Sequence, residues 1–215
     1  MPARRTWNKA RLEMLSDGVF AIVMTLLVLE LKVPELPRRA EASEVLQTLL
    51  EHWPLFFSFF ITFMMSAAYW LWHQMSFHEL THVDQAFCGL NLVFLMCMSL
   101  LPFSTAMLGS FTLQQPVSLT LYFGNQLALS MALNASWIYA KRHHLLTRPG
   151  DDPEIQLVSR MFAGNALACL IALSMVFIRP RSCFGAFGIT QILSAAIARR
   201  RYEAATKAPR ERSAT

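Results

Sequence analysis

Residues 11–34 read RLEMLSDGVFAIVMTLLVLELKVP, and the apolar run within them, about 14–33, decides the fold. About twenty predominantly apolar residues are what an α-helix needs to cross the ~30 Å hydrocarbon core of a bilayer. The run stops at Pro34 and Pro37, which cannot continue a helix. Five further runs follow, at about 53–72, 86–108, 117–140, 155–178 and 183–198. Pro54 suits a first helical turn, and Pro102 predicts a kink that neighbouring helices would satisfy. The sixth run is short for a full span, and its flanking arginines must snorkel to the interface. The expected architecture is an all-α integral membrane protein with six transmembrane helices, five being the alternative.

Composition agrees. Of 215 residues, 54% are hydrophobic and 15% charged, against roughly 25% charged in a soluble domain. The deficit is concentrated in the apolar runs, which points to lipid rather than to a large soluble core. The net charge of +5 sits at helix flanks and tails, where lipid headgroups are the expected anionic partner and nucleic acid is not. A cleavable signal peptide is not expected, because the first run is too long for a signal h-region. If the N-terminus faces the cytoplasm, the cytoplasmic segments hold fourteen lysines and arginines and the opposite side five: Lys32, Arg38, Arg39, Arg179 and Arg181. The positive-inside rule then places both termini in the cytoplasm, in agreement with an even number of spans. The transmembrane domain is expected to occupy 1–203, with 204–215 a disordered polar tail. Between the first two spans, Val45, Leu46, Leu49 and Leu50 fall on one helical face behind a Ser43 cap, predicting a short interfacial helix.

Charged residues inside a span cost about 2.5–3.5 kcal/mol each on insertion scales and tend to face protein or water. Asp17 lies just inside the first run. It reads either as a helix-start carboxylate favoured by the macrodipole beside Ser16, or as part of a functional site. Beyond it, Gly18, Ile22, Thr25, Leu29 and Val33 recur at helical spacing, with Leu26 on the border of the stripe. Such a stripe is an ordinary packing or lipid face, or else a pore lining in which symmetric copies of an aliphatic ring gate by dewetting.

Arg11 followed by Leu15-Ser16-Asp17-Gly18 resembles the RxxxFSDG signature of the transmembrane protein 175 family of potassium channels, with leucine in place of phenylalanine. Trp72-His73, Asp84, Asn91 and Leu101-Pro102-Phe103 also look like that family. The resemblance covers the first three spans, and a single set of six spans is similar to its bacterial members, which assemble as homotetramers. It implies a potassium-permeable cation channel in a bacterial inner membrane, with the first helix of each subunit lining a central pore. Ile22, Leu26 and Leu29 would form a hydrophobic constriction with Thr25 as a polar ring. Arg11, Ser16, Asp17, His73 and Asp84 would form a polar network near the cytoplasmic mouth. No cofactor is implied beyond the permeant potassium ions, and the expected potassium preference is modest.

Other features carry less. TVGYG is absent, so a filter of backbone carbonyls is not expected. Glu30 reads as an interfacial carboxylate or an outer-mouth residue. His73, His78 and His82 lack metal-site spacing, and Cys88, Cys97, Cys169 and Cys183 form no CxxC pair. GxSxG, Walker A and dinucleotide fingerprints are absent, so an enzyme is not expected. The rival to a channel is a secondary transporter or proton-coupled carrier using Asp17 and His73 as a relay. It lacks the mid-span helix break such carriers use to bind substrate.

Overall fold

The computed structural model describes residues 7–32, 41–111 and 113–212, with side chains through Thr206. The expected end of the first span at Val33, with Pro34 and Pro37 behind it, lies outside the described residues. Among the described residues there are eight α-helices, two short 3-10 turns and no sheet. Helix α1 spans Lys9–Leu26 and tightens into a 3-10 turn at Leu27–Glu30. Then come α2 (Ala42–Glu51), α3 (Trp53–His78), α4 (Gln85–Ser99), α5 (Leu101–Ser110), α6 (Pro116–Arg142), α7 (Pro153–Ile178) and α8 (Cys183–Arg212).

The helix starts follow local chemistry. Asn8 caps α1 by accepting from the Arg11 N–H at 3.3 Å, and Asp84 caps α4 by accepting from the Phe87 N–H at 2.9 Å. Asp152 caps α7 through the Glu154 N–H at 2.8 Å. Prolines stand in the first turns of α3, α5, α6 and α7, where a missing N–H costs no intrahelical bond. The third apolar run is broken at Leu100, two residues ahead of Pro102. The proline cannot donate to a carbonyl one turn back, so the helix divides there. Helix α2 is capped differently from the sequence expectation. Glu41 and Glu44 form a reciprocal capping box, which leaves Ser43 inside the helix. Its apolar face, Val45, Leu46, Leu49 and Leu50, is exposed. Helix α8 continues past Ala204, where composition predicts an unstructured tail, and remains helical to Arg212.

Four units are long and apolar enough to cross a membrane by length and composition: Lys9–Glu30, Trp53–His78, Gln85–Ser110 and Pro153–Ile178. Helix α6 is as long, at 27 residues, but more polar. Its polar side chains point inward: Ser118, Tyr122, Gln126 and Ser130 recur every fourth residue and are all buried. Tyr122 and Ser130 meet polar groups of α3 and α7 through their side chains, and Gln126 does so through its backbone carbonyl. The Tyr69 hydroxyl donates to the Gln126 carbonyl at 3.0 Å, and the Asn165 amide donates to the Tyr69 and Ser130 oxygens at 3.0 and 2.9 Å. The Gln191 side-chain amide of α8 donates to the Asn165 oxygen. Lipid provides no hydrophobic drive between helices, so such bonds and close packing of small residues do the joining. At Gly164 an added Cβ would lie 2.6 Å from the Ser194 Cβ, and at Gly109 it would lie 2.7 Å from a Leu55 methyl. All four cysteines are free and buried within this packing.

At one end of the bundle the connectors clasp one another. The Trp7 N–H donates to the Val83 carbonyl at 3.2 Å, Thr81 N–H to Leu145 at 2.9 Å, and Thr147 N–H to Glu79 at 2.8 Å. The start of α1, the end of α3, the start of α4, the end of α6 and the start of α7 therefore share one end of the molecule. The polar groups at the start of α1 lie there.

Candidate ion pathway

Helix α1 has two faces of opposite fate. Leu12, Ser16, Phe20, Val23 and Leu27 are spaced three or four apart and are buried against the rest of the subunit. The other side is open: Leu15, Gly18, Ile22, Thr25, Leu26 and Leu29 are exposed, Ile22 at 60% and Leu29 at 68%. A Cβ added at Gly18 would meet no atom within 4 Å. The Thr25 hydroxyl lies 3.0 Å from the Ala21 carbonyl and 2.8 Å from that of Ile22. Its single hydrogen is thereby turned back onto the helix. The oxygen lone pairs remain available on the open face, the polarity a cation requires.

Behind this face, at the clasped end, the polar residues form three groups. In the first, the Ser16 hydroxyl donates to the Leu12 carbonyl at 2.9 Å and accepts from the Asn91 side-chain N–H at 3.0 Å. The Asn91 oxygen lies 3.0 Å from His73 Nε2. Since Asn91 presents an acceptor there, the network assigns the proton to Nε2. The His73 ring is stacked with Phe77 at 4.2 Å and Phe94 at 5.7 Å between centroids, and packs edge-on to Phe20 at 5.7 Å. It is 2% exposed. In the second group, Asp17 Oδ1 accepts from Trp70 Nε1 at 2.9 Å and from the Gln74 amide at 2.8 Å. In the third, Asp84 pairs its capping bond with a second, its Oδ2 accepting from the Tyr139 hydroxyl at 2.8 Å. Arg11 is exposed in the first turn of α1.

Four residues absent from the expected polar network therefore carry it: Trp70, Gln74, Asn91 and Tyr139. Trp70 and Gln74 are four apart on one face of α3, but nothing in the sequence pairs that face with Asp17. Tyr139 is distant in sequence from its partner Asp84 and gave no signal either. Among the described residues no group of three histidine, cysteine or acidic side chains could hold a metal ion.

An all-helical membrane architecture among the described residues, with one apolar, hydroxyl-bearing helix face left open, defines the class, a multi-pass membrane protein. Residues 11–102 match the family model described as endosomal/lysosomal potassium channel TMEM175. A potassium channel of Chamaesiphon minutus is 33% identical over 171 residues, 78% of this chain and 84% of that protein. A potassium channel of Streptomyces collinus is 30% identical over 187 residues, 85% of this chain and 89% of that one. The crystal structure of a lysosomal potassium-selective channel TMEM175 homolog from Chamaesiphon minutus superposes with a TM-score of 0.76 at 30% identity, covering 88% of this chain and 97% of that chain. The chain belongs to the TMEM175 family of potassium channels. That family consists of ion channels, not enzymes.

Proposed function

We propose that four copies of this subunit form a potassium-permeable channel in the bacterial inner membrane, with the open face of α1 from each copy lining a central pore. The observation that carries the reading is the division of α1. One face is packed into its own subunit, while Gly18, Ile22, Thr25, Leu26 and Leu29 face away from it. The Thr25 oxygen lone pairs on that open face suit a cation pathway. Ile22, Leu26 and Leu29 from four copies make a narrow aliphatic neck, with Thr25 as its polar ring. An aliphatic neck gates by dewetting and discriminates weakly between cations, so the potassium preference is modest. The permeant ion is the ligand, and no cofactor is required.

Six spans, with α6 and α8 crossing alongside the four more apolar units, place both termini on the same side. The distribution of lysine and arginine makes that side the cytoplasm. The groups around Ser16, Asp17 and Asp84 then lie at the cytoplasmic mouth. Ser16–Asn91–His73 ties α1 to α3 and α4 and fixes the rotation of α1 about its axis. Asp17, held by Trp70 and Gln74, fixes it from the other side. Arg11, at the same end, adds positive charge near headgroups.

The carrier reading draws less support from this geometry. His73 is directed to Asn91 and enclosed by three phenylalanine rings, while Asp17 belongs to a separate group with Trp70 and Gln74. The relay it needs lacks a direct link between the two residues.

The test is ion flux into liposomes containing the purified protein, comparing potassium, sodium and a large organic cation. Rapid flux that rises linearly with driving force and favours potassium is expected. Ile22→Asn should hydrate the neck and raise flux or erase the preference. Unchanged flux in that variant would remove Ile22 from the constriction.

A further inference from the structure

The clasped end of the bundle carries most of the described basic residues, but two arginines stand at the opposite end, where membrane proteins carry few. Arg179 closes α7 and Arg181 lies in the 3-10 turn Pro180–Ser182 that leads into α8. Both are exposed. Together with Gln114, just ahead of α6, they line a cavity of about 460 Å³. Among the described residues no carboxylate lines it. The Arg181 Nε–H donates to the Gln114 side-chain oxygen at 2.9 Å, which orients the guanidinium and leaves its terminal nitrogens free for a bidentate acceptor. Directly before them, Phe177 and Ile178 end the apolar part of α7 and are 72% and 71% exposed. Two guanidinium groups thus stand over a bare apolar step at the level where a span leaves the hydrocarbon.

We propose that this cavity binds an anionic phospholipid of the leaflet opposite the clasped end. Its phosphate sits between Arg179 and Arg181, and an acyl chain lies along Phe177 and Ile178. A free anion would need the two cations but has no use for the apolar step below them. A zwitterionic lipid would bring a cationic group toward two others. The planar fork of arginine suits a phosphodiester, which accepts two parallel N–H bonds. The bound lipid would also bridge the loop before α6 to the turn between α7 and α8. That makes it a joint between helices remote from the α1 face.

Native mass spectrometry of the full-length protein tests this without reference to ion flux. The protein is exchanged into detergent with phosphatidylglycerol, with phosphatidylcholine, or with inorganic phosphate alone. The wild-type protein should retain one more phosphatidylglycerol per subunit than Arg179→Ala/Arg181→Ala, with no difference for phosphatidylcholine. The Arg200→Ala/Arg201→Ala variant, altered at the clasped end, should retain that lipid. If the double variant does not fold, Arg179→Ala alone serves, with a lower retained fraction expected. Equal phosphatidylglycerol counts in wild type and variant would overturn the assignment. So would an inorganic phosphate adduct lost in the variant, which would make the cavity a site for free anions.

Discussion

Replacing Asn91 by leucine probes the junction that orients α1, and the structure sets how large the effect should be. The Asn91 amide gives one hydrogen bond to Ser16 and takes one from His73, both at 3.0 Å. Leucine keeps the branching at Cγ with greater bulk, so the change removes the bonds without opening a cavity. Ser16 keeps its bond to the Leu12 carbonyl and loses only an incoming donor. His73 fares worse. Its Nε2–H is left unpaired among phenylalanine rings, at a cost of about 1–3 kcal/mol. Hydrogen bonds between membrane helices average about 0.6 kcal/mol and reach about 1.7 in double-mutant cycles. Together these give a destabilisation of roughly 2 kcal/mol for Asn91→Leu. Ser16→Ala should cost roughly 1 kcal/mol. Because the two residues share a bond, the double variant should be less destabilised than the sum, by about 0.5 kcal/mol or more. Midpoints of unfolding of the purified protein in mild detergent, with wild type and three variants measured together, make the cycle. Strict additivity, or an Asn91→Leu variant as stable as wild type, would refute the view that this chain of bonds holds α1.

Two glycines should behave oppositely. Gly164→Val places side-chain atoms where Ser194 already stands and should destabilise the subunit by roughly 1–3 kcal/mol, visible as a lower unfolding midpoint. Gly18→Val meets no neighbour within its own subunit. It should leave secondary structure intact and reduce the tetrameric fraction by size-exclusion chromatography with light scattering; normal tetramers would place Gly18 away from any other copy. Asp17→Ala leaves Trp70 Nε1 and the Gln74 amide without their acceptor and should impair assembly or potassium flux. Full flux with normal tetramers would reduce Asp17 to a packing contact between α1 and α3.

What the sequence by itself determined was the membrane class and the family. Both rest on local signals: runs of apolar residues of bilayer length, prolines and caps at their ends, and the Arg11 to Gly18 motif, whose residues lie within two turns of one helix. It also gave the stripe along α1, because helical spacing alone places Gly18, Ile22, Thr25 and Leu29 on one side. Tertiary structure decided which side of α1 was left open, since that depends on where α3, α4 and α5 pack. It also sorted the polar residues into groups. Nothing in the sequence says that His73 reaches Ser16 through Asn91, that Asp17 turns instead to Trp70 and Gln74, or that Asp84 takes a hydroxyl from Tyr139, 55 residues away. Hydrogen-bond partners across a bundle are fixed by interhelical rotation within an ångström or so, and sequence periodicity records only the angle about each helix's own axis. The polarity of α6 shows the same limit. The apolar run alone places it as a span, and only the packed bundle shows that Ser118, Tyr122, Gln126 and Ser130 turn inward and that Ser130 meets Asn165 there.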